Sequence, residues 1–387
     1  MRRVYFDNNA TTPVDPLVLE AMKPFFLEDF GNASSIHGFG QRARAAMEQA
    51  RRQVADLIGA QSQEIVFTSG GTESDNTALR GLAPYLRDRG NHIVTSSIEH
   101  PAILRTCEQL EKEGFEVTYV PAGKDGAIRL DVLEAAIKDR TILISIMYVN
   151  NETGTIQPLG RISELARSRK ILLHTDAVQA VGKIPVDVKK LNVDLLSLSA
   201  HKLHGPKGIG VLYVRRGVRF NPLFLGGPHE RNRRAGTENV PGIVGLGTAC
   251  ELAKQGLEDF EKRVRGLRDR LENTVLEQIP DSSVNGSRTE RAPHVTNLSF
   301  RGTEGEALLI SLDFQGIAVS TGSACSSGSL EPSHVLRAIG VPSDLIHGSI
   351  RFSLSRMNTT EDVDYLLEVL PKTVGRMREM SPLYKER

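Results

Sequence analysis

The sequence predicts an α/β protein, with a large domain built on a mostly parallel sheet flanked by helices and a smaller α+β domain attached to it. Three observations predict this. Helical and strand-like patterns alternate from about residue 41 to 255. The strand-like runs are continuously apolar, as in strands covered on both faces. A long helical pattern then separates this region from a shorter mixed one. Length and composition agree: 387 residues exceed one ordinary small domain, and 40% apolar residues are ample for a buried core. The expected division is a large domain over 13–255 and a small domain formed by 1–12 together with 256–387.

The elements follow in order. Ala43, Ala46, Met47, Ala50, Val54, Leu57 and Ile58 recur at helical spacing, and Gly59 stops them. The runs EIVFTS, HIVTSS, TILISIMYV, ILLHTD, VDLLSLS and GVLYV read as buried strands. Leu257, Phe260, Val264, Leu267 and Leu271 continue a helix towards Pro280, so the link between the domains is a helix and not a flexible tether. Beyond it come a strand around VTNLSF, a helix around GEALLISL, a Gly/Ser-rich loop, the strand IRFSLS and a last helix that Thr359 can cap.

A formal net charge of +1 suggests neither a nucleic-acid partner nor a membrane surface. MRRVYFDNNATT has two arginines with no apolar stretch behind them, unlike a secretory signal, and the longest apolar runs are strand-sized. The expectation is a soluble cytoplasmic protein. Three widely spaced cysteines give neither a disulfide framework nor a zinc pattern.

Chemistry concentrates in SLSAHKLHGPKG and, upstream of it, HTDAVQ. Lys202 offers an amine, and Asp176 offers a carboxylate at the end of a buried strand. A lysine that joins a cofactor aldehyde must lose its proton near neutral pH, which burial and nearby positive charge achieve. An aspartate facing a pyridine nitrogen keeps that nitrogen protonated, so the ring can accept electrons. Together these are the requirements of bound pyridoxal 5'-phosphate. FTSGGTESDN places Gly71 and Thr72 in a turn between strand and helix, where backbone amides can meet a phosphate. Ser199 and His201, flanking the lysine segment, supply further donors. His100 in SSIEHPAI can lie on the flat face of the ring and exchange protons, or simply cap a helix. Asn151 and Gln179 are neutral hydrogen-bonders suited to the ring's phenolic oxygen and a substrate carboxylate.

Arg351 in IRFSLS suits an amino acid's carboxylate bidentately, although a strand arginine is often a surface ion pair. Cys325, in STGSACSSGS, is the reactive thiol candidate, whereas Cys107 and Cys250 fall within helical apolar patterns. HERNRRAGTEN gathers Arg231, Arg233, Arg234 and Thr237 in one loop that could close over a phosphate or a partner subunit.

These motifs together closely resemble the cysteine desulfurases of the NifS/IscS type, within the fold-type-I, class-V aminotransferase-like pyridoxal-phosphate enzymes. The match runs through YFDNNATT, GNASSIHGFG, GGTESDN, EHPA, NNETG, HTDAVQ, SLSAHKLHGPKG, RRAGTEN, GSACSSGSLEPSH and IRFSLS. The resemblance implies a homodimer, Lys202 as the lysine joined to the cofactor, Asp176 on the pyridine nitrogen and His100 stacked on the ring. It implies Gly71, Thr72, Ser199 and His201 around the phosphate, with Thr237 reaching the phosphate bound by the other subunit. Gln179 and Asn151 would serve cofactor and substrate polar atoms, and Arg351 the substrate carboxylate. Cys325 matches the cysteine that takes sulfur from L-cysteine as a persulfide and hands it to an iron–sulfur scaffold or other acceptor, while alanine leaves. SLSRMNTTEDVD, with Ser355 in place of glycine, looks more like the nitrogenase-associated branch than the housekeeping one.

Selenocysteine lyases and aminotransferases would share Lys202 and Asp176, but an aminotransferase has no need of Cys325. A non-enzymatic sulfur carrier would bind no aldehyde cofactor. No intrinsic metal site is expected; Cys325 could share a nascent cluster with a scaffold only transiently, since one cysteine cannot hold a cluster.

Overall fold

The computed structural model describes residues 2–321, 332–381 and 384. Its centre is a seven-stranded sheet in the order Ile65–Thr68, Gly210–Val214, Leu195–Ser199, Leu172–Asp176, Thr141–Ser145, His92–Ser96, Glu116–Val120. Gly210–Val214 is antiparallel to both neighbours, and the other strands share one direction. Adjacent apolar residues go to opposite faces, as the two-residue strand period requires. Val94, Ile144 and Leu196 join one core, while Ile93, Leu143 and Leu195 join the other. Both faces are therefore buried, which is why the runs contain so few polar residues.

The apolar spacing of residues 43–58 falls within the helix Gly38–Leu57, whose Ala43, Met47, Ala50 and Val54 are buried. Gly59 follows at φ +70°, a left-handed conformation that ends the helix. TILISIMYV forms a strand only over Thr141–Ser145. The sequence reading named no strand at Glu116–Val120. This edge strand alternates half-buried Val117 and Tyr119 with polar Glu116 and Thr118, and lacks the continuous apolar run of a central strand.

The helix after residue 256 proceeds through Leu257–Asp259, a π-helical turn at Phe260–Val264 and Arg265–Gln278. It packs in a third core with Val4, Phe6, the antiparallel strands Val295–Phe300 and Ser349–Ser353, and the helix Thr360–Met380. Thr359 does cap that last helix: its Oγ1 accepts from the Asp362 amide at 3.3 Å. No helix among the described residues is long and apolar enough to cross a membrane.

One buried ion pair holds the strand that leads into the site. Arg51 donates to both carboxylate oxygens of Glu230 at 2.7 and 2.8 Å, and Glu230 also accepts from the Phe67 amide at 2.9 Å. Both side chains are buried. Glu230→Ala leaves buried Arg51 with only half-buried Glu48, 3.1 Å from its Nε, as counter-charge, so unfolding free energy should fall by up to about 3–5 kcal/mol. Chemical denaturation with an unchanged slope against denaturant would measure it.

Candidate functional site

In an open α/β sheet, ligands bind beyond the carboxyl ends of the parallel strands. Here those ends converge on a cavity of about 310 Å³. The strand ending at Thr68 delivers Gly71 and Thr72, that ending at Ser96 delivers His100, and that ending at Ser145 continues to Asn151. Two more supply Asp176 with Gln179, and Ser199 with His201 and Lys202. The small three-stranded sheet contributes Arg351. Ten candidates scattered over 280 positions of sequence thus line one cavity.

Lys202 is held by an element to which the residue reading gave no chemistry. Its Nζ donates to the carbonyls of Asn9 and Ala10 at 2.5 and 2.8 Å. The Thr12 amide and hydroxyl in turn donate to the His201 carbonyl at 2.9 and 3.0 Å, clamping the N-terminal segment onto the lysine turn. The amine therefore faces backbone carbonyl acceptors where it lines the cavity.

Asp176 is buried, and its Oδ1 accepts from the Val178 amide at 2.9 Å. Burial pushes its carboxyl upward, opposed by His100, the Val178 amide and Lys202. A desolvated carboxylate of this kind gains most from a cationic N–H partner, which a protonated pyridine provides. Two further buried acids stand close enough to act on it. Burial and Asp176 hold the Asp75 carboxyl well above its ordinary range, and burial raises Glu99 to about 8 despite bonds from Ser96 Oγ and the Met147 amide.

His100 caps a helix and also lines the cavity. Its Nδ1 accepts from the Ala102 amide at 3.1 Å, capping the helix Pro101–Lys112, while the ring lines the cavity. A neutral ring that accepts at Nδ1 carries its proton on Nε2, and burial, opposed by Asp176, lowers the ring's proton affinity.

At the other end, Gly71 opens the fifteen-residue helix Gly71–Tyr85. A Cβ at Gly71 would stand 2.8 Å from a Val178 methyl, so only glycine lets this turn approach the cavity wall. Helix N-terminal amides, the Ser199 hydroxyl and His201 meet at this end of the cavity, donors of the kind an anion calls for. Burial depresses His201 to about 4, and its Nδ1 sits 3.1 Å from Thr11 Oγ1.

Arg351 is an ion-paired residue, but a buried one: it donates to Asp7 Oδ1 at 2.8 Å and to the Asn151 carbonyl at 3.1 Å. Its Nε is buried and has no hydrogen-bond partner among the described residues. Gln179 Nε2 donates to the Asn9 carbonyl at 3.0 Å. Thr237 is exposed and does not line the cavity. Cys325 lies outside the described residues, whereas Cys107 and Cys250 are buried in helices, where burial pushes their thiols far up.

Sequence reasoning missed Asn9, Ala10, Asp75, Met147, Val149 and Val178 as cavity walls, and Asp7 as the partner of Arg351. The dense polar run DNNATT was the available signal for the N-terminal set; nothing local marked Asp75. Among the described residues, no group of three metal-ligating side chains forms a metal site.

The chain matches the family model of class-V aminotransferases over residues 4–366. Cysteine desulfurase IscS of Methanosarcina thermophila is 57% identical over 382 residues, which cover 99% of this chain and 94% of that protein. A solved NifS-like protein superposes with a TM-score of 0.92 at 42% identity, covering 97% of this chain and 100% of the other. The structure of SspA in complex with cysteine is 40% identical with a TM-score of 0.82, over 92% of this chain and 99% of that one. Agreement in family model, full-length identity and fold leads to one conclusion: the chain belongs to the class-V aminotransferase family.

Proposed function

We propose that the protein is a cysteine desulfurase, which removes sulfur from L-cysteine and releases L-alanine. The observation that carries this reading is the cavity in which Lys202, Asp176, His100 and Arg351 meet, in a chain so similar to cysteine desulfurases. Its cofactor is pyridoxal 5'-phosphate. The residues present fit that group. Gly71, Thr72, Ser199 and His201 would hold the phosphate, Asp176 the ring nitrogen, Gln179 the phenolic oxygen and His100 the ring face. Bound there, the cofactor supplies an aldehyde for the substrate amine and a ring that takes up electrons from the substrate's α carbon.

The protein's own groups do the rest. Arg351 and Asn151 orient the substrate carboxylate. Lys202, freed by the incoming amine, removes the α proton. The Cys325 thiolate attacks the substrate sulfur; the carbon–sulfur bond breaks, and the sulfur stays on Cys325 as a persulfide. An acceptor protein then takes it, an iron–sulfur scaffold being the partner whose chemistry fits, with nitrogenase maturation as one such route.

The active form is a homodimer, in which Thr237 serves the partner's phosphate. Its exposure outside its own chain's cavity supports this, as do the exposed apolar side chains of Phe26, Leu27, Phe30 and Ile36. Residues 13–255 form the cofactor domain, and 1–12 with 256–387 the small domain, a division supported by the packing of Val4 and Phe6 with the C-terminal elements. The protein works in the cytoplasm, apart from nucleic acid and membranes.

The test is the absorption spectrum of the purified protein before and after L-cysteine, with alanine and sulfide quantified under a thiol reductant. A visible cofactor band that shifts with cysteine, with alanine and sulfide in equal amounts, is expected. A protein without the band after reconstitution with pyridoxal phosphate would overturn the reading.

A further inference from the structure

A second lysine lies buried next to the site, and nothing in the reaction described above uses it. Lys183 is 5% exposed, and its Nζ donates to Gln179 Oε1. Among the described residues no carboxylate lies within ion-pairing distance of it. Lys202 and Arg351 add positive charge nearby, and burial, more than they, holds its ammonium well below the ordinary lysine range. A buried, uncompensated amine destabilises a fold. Such groups concentrate where function requires them.

The local chain explains the placement. Residues 177–184 make helical turns, with the Val181 amide on the Ala177 carbonyl and the Ile184 amide on the Ala180 carbonyl. Left-handed Gly182, at φ +74°, interrupts these turns, and the hydrogen bond from Lys183 to Gln179 itself shows that the two side chains meet. Gln179 is gripped from two directions by groups of opposite kind. The Asn9 carbonyl has no hydrogen to give and must face Nε2, while the lysine nitrogen donates to Oε1. Asn9 O is also a carbonyl that holds Lys202.

We propose that Lys183 is a positioning residue: it locks the Gln179 amide so that its carbonyl oxygen is occupied and an N–H is left for the cavity. Gln179 then meets the site as a donor only, which suits the phenolic oxygen of the cofactor and would repel an amide turned the other way. The inference rests on the assignment of Gln179 to that oxygen.

The experiment measures uptake of pyridoxal phosphate by the apoprotein, followed by visible absorbance, for Lys183→Met, Gln179→Leu and the double variant. Loss of one oriented hydrogen bond should weaken uptake by Lys183→Met roughly 3- to 10-fold. The melting temperature of the apoprotein should not fall, since a buried amine without a counter-charge has gone. In the Gln179→Leu background the same substitution should add nothing. An equal loss in both backgrounds, or a destabilised apoprotein with normal uptake, would overturn the proposal. If Gln179→Leu alone takes up cofactor normally, the assignment of Gln179 itself fails instead. Should Lys183→Met not fold, Gln179→Glu replaces it: that side chain pairs with Lys183 but offers no N–H, so normal uptake would refute the donor role.

Discussion

Replacing Lys202 by alanine is expected to abolish sulfur release from L-cysteine and to remove the visible band of the lysine-bound cofactor. The proposed reaction gives this one amine two separate functions. The carbonyls of Asn9 and Ala10 hold Nζ in the cavity, where it can join the aldehyde, and no other candidate base is so held. After displacement by substrate, the same nitrogen is the base for the α proton. Loss of a positioned general base alone costs about 10²–10⁴ in rate, and loss of the covalent anchor adds to this. The phosphate and ring contacts survive the substitution, so the variant should still take up pyridoxal phosphate, with the spectrum of a free aldehyde. Absorbance of the reconstituted variant together with single-turnover alanine release checks both parts. A retained lysine-bound band would move the anchor to another lysine, of which Lys183 is the buried one, bonded to Gln179.

Much of the architecture could be read from the chain because burial on both faces leaves a strong local mark. Runs such as ILLHTD and VDLLSLS have no polar alternation to confuse them, and their ends became the carboxyl-end positions of Asp176 and Ser199. The edge strand Glu116–Val120 escaped for the converse reason, since only half of it needs to be apolar. The site was legible where the chemistry demands a residue type: an amine, a carboxylate for a cationic ring and small residues at a helix start. It was not legible where the backbone or distant pairing does the work. The carbonyls of Asn9 and Ala10 have no residue-type signature, and the Asp7–Arg351 pair spans 344 positions of sequence. Lys183 carried no such signal, because its meeting with Gln179 depends on a turn that passes through left-handed Gly182.

Cys325→Ala should separate the two halves of the reaction. The chain has three cysteines, and two of them are walled into helices with thiols that burial keeps protonated. That leaves Cys325 as the thiol to receive sulfur. The described chain on either side of its segment is fastened at the cavity's edge. Ser320 exchanges backbone bonds with Arg351 at 2.7 and 3.3 Å, Ser333 donates to Glu152 at 2.5 Å, and His334 meets the Glu99 carbonyl at 3.0 Å. Arg351 itself lines the cavity, and Glu152 and Glu99 are chain neighbours of Asn151 and His100, so the described residues 320, 333 and 334 are anchored near the cavity. The alanine variant keeps Lys202, Asp176 and Arg351, and should bind L-cysteine with the same spectral change as the native protein. Sulfide and alanine release under a thiol reductant should nonetheless fall by at least roughly 10²-fold, the scale of losing a positioned reactant. Cys107→Ala and Cys250→Ala should leave turnover intact. Normal sulfide production by Cys325→Ala would remove the persulfide step and favour direct elimination of sulfide. A spectral change that disappears with the thiol would instead make Cys325 part of substrate binding. The expected pattern, binding preserved and sulfur transfer lost, requires a nucleophile that acts only after Lys202 has finished with the α proton.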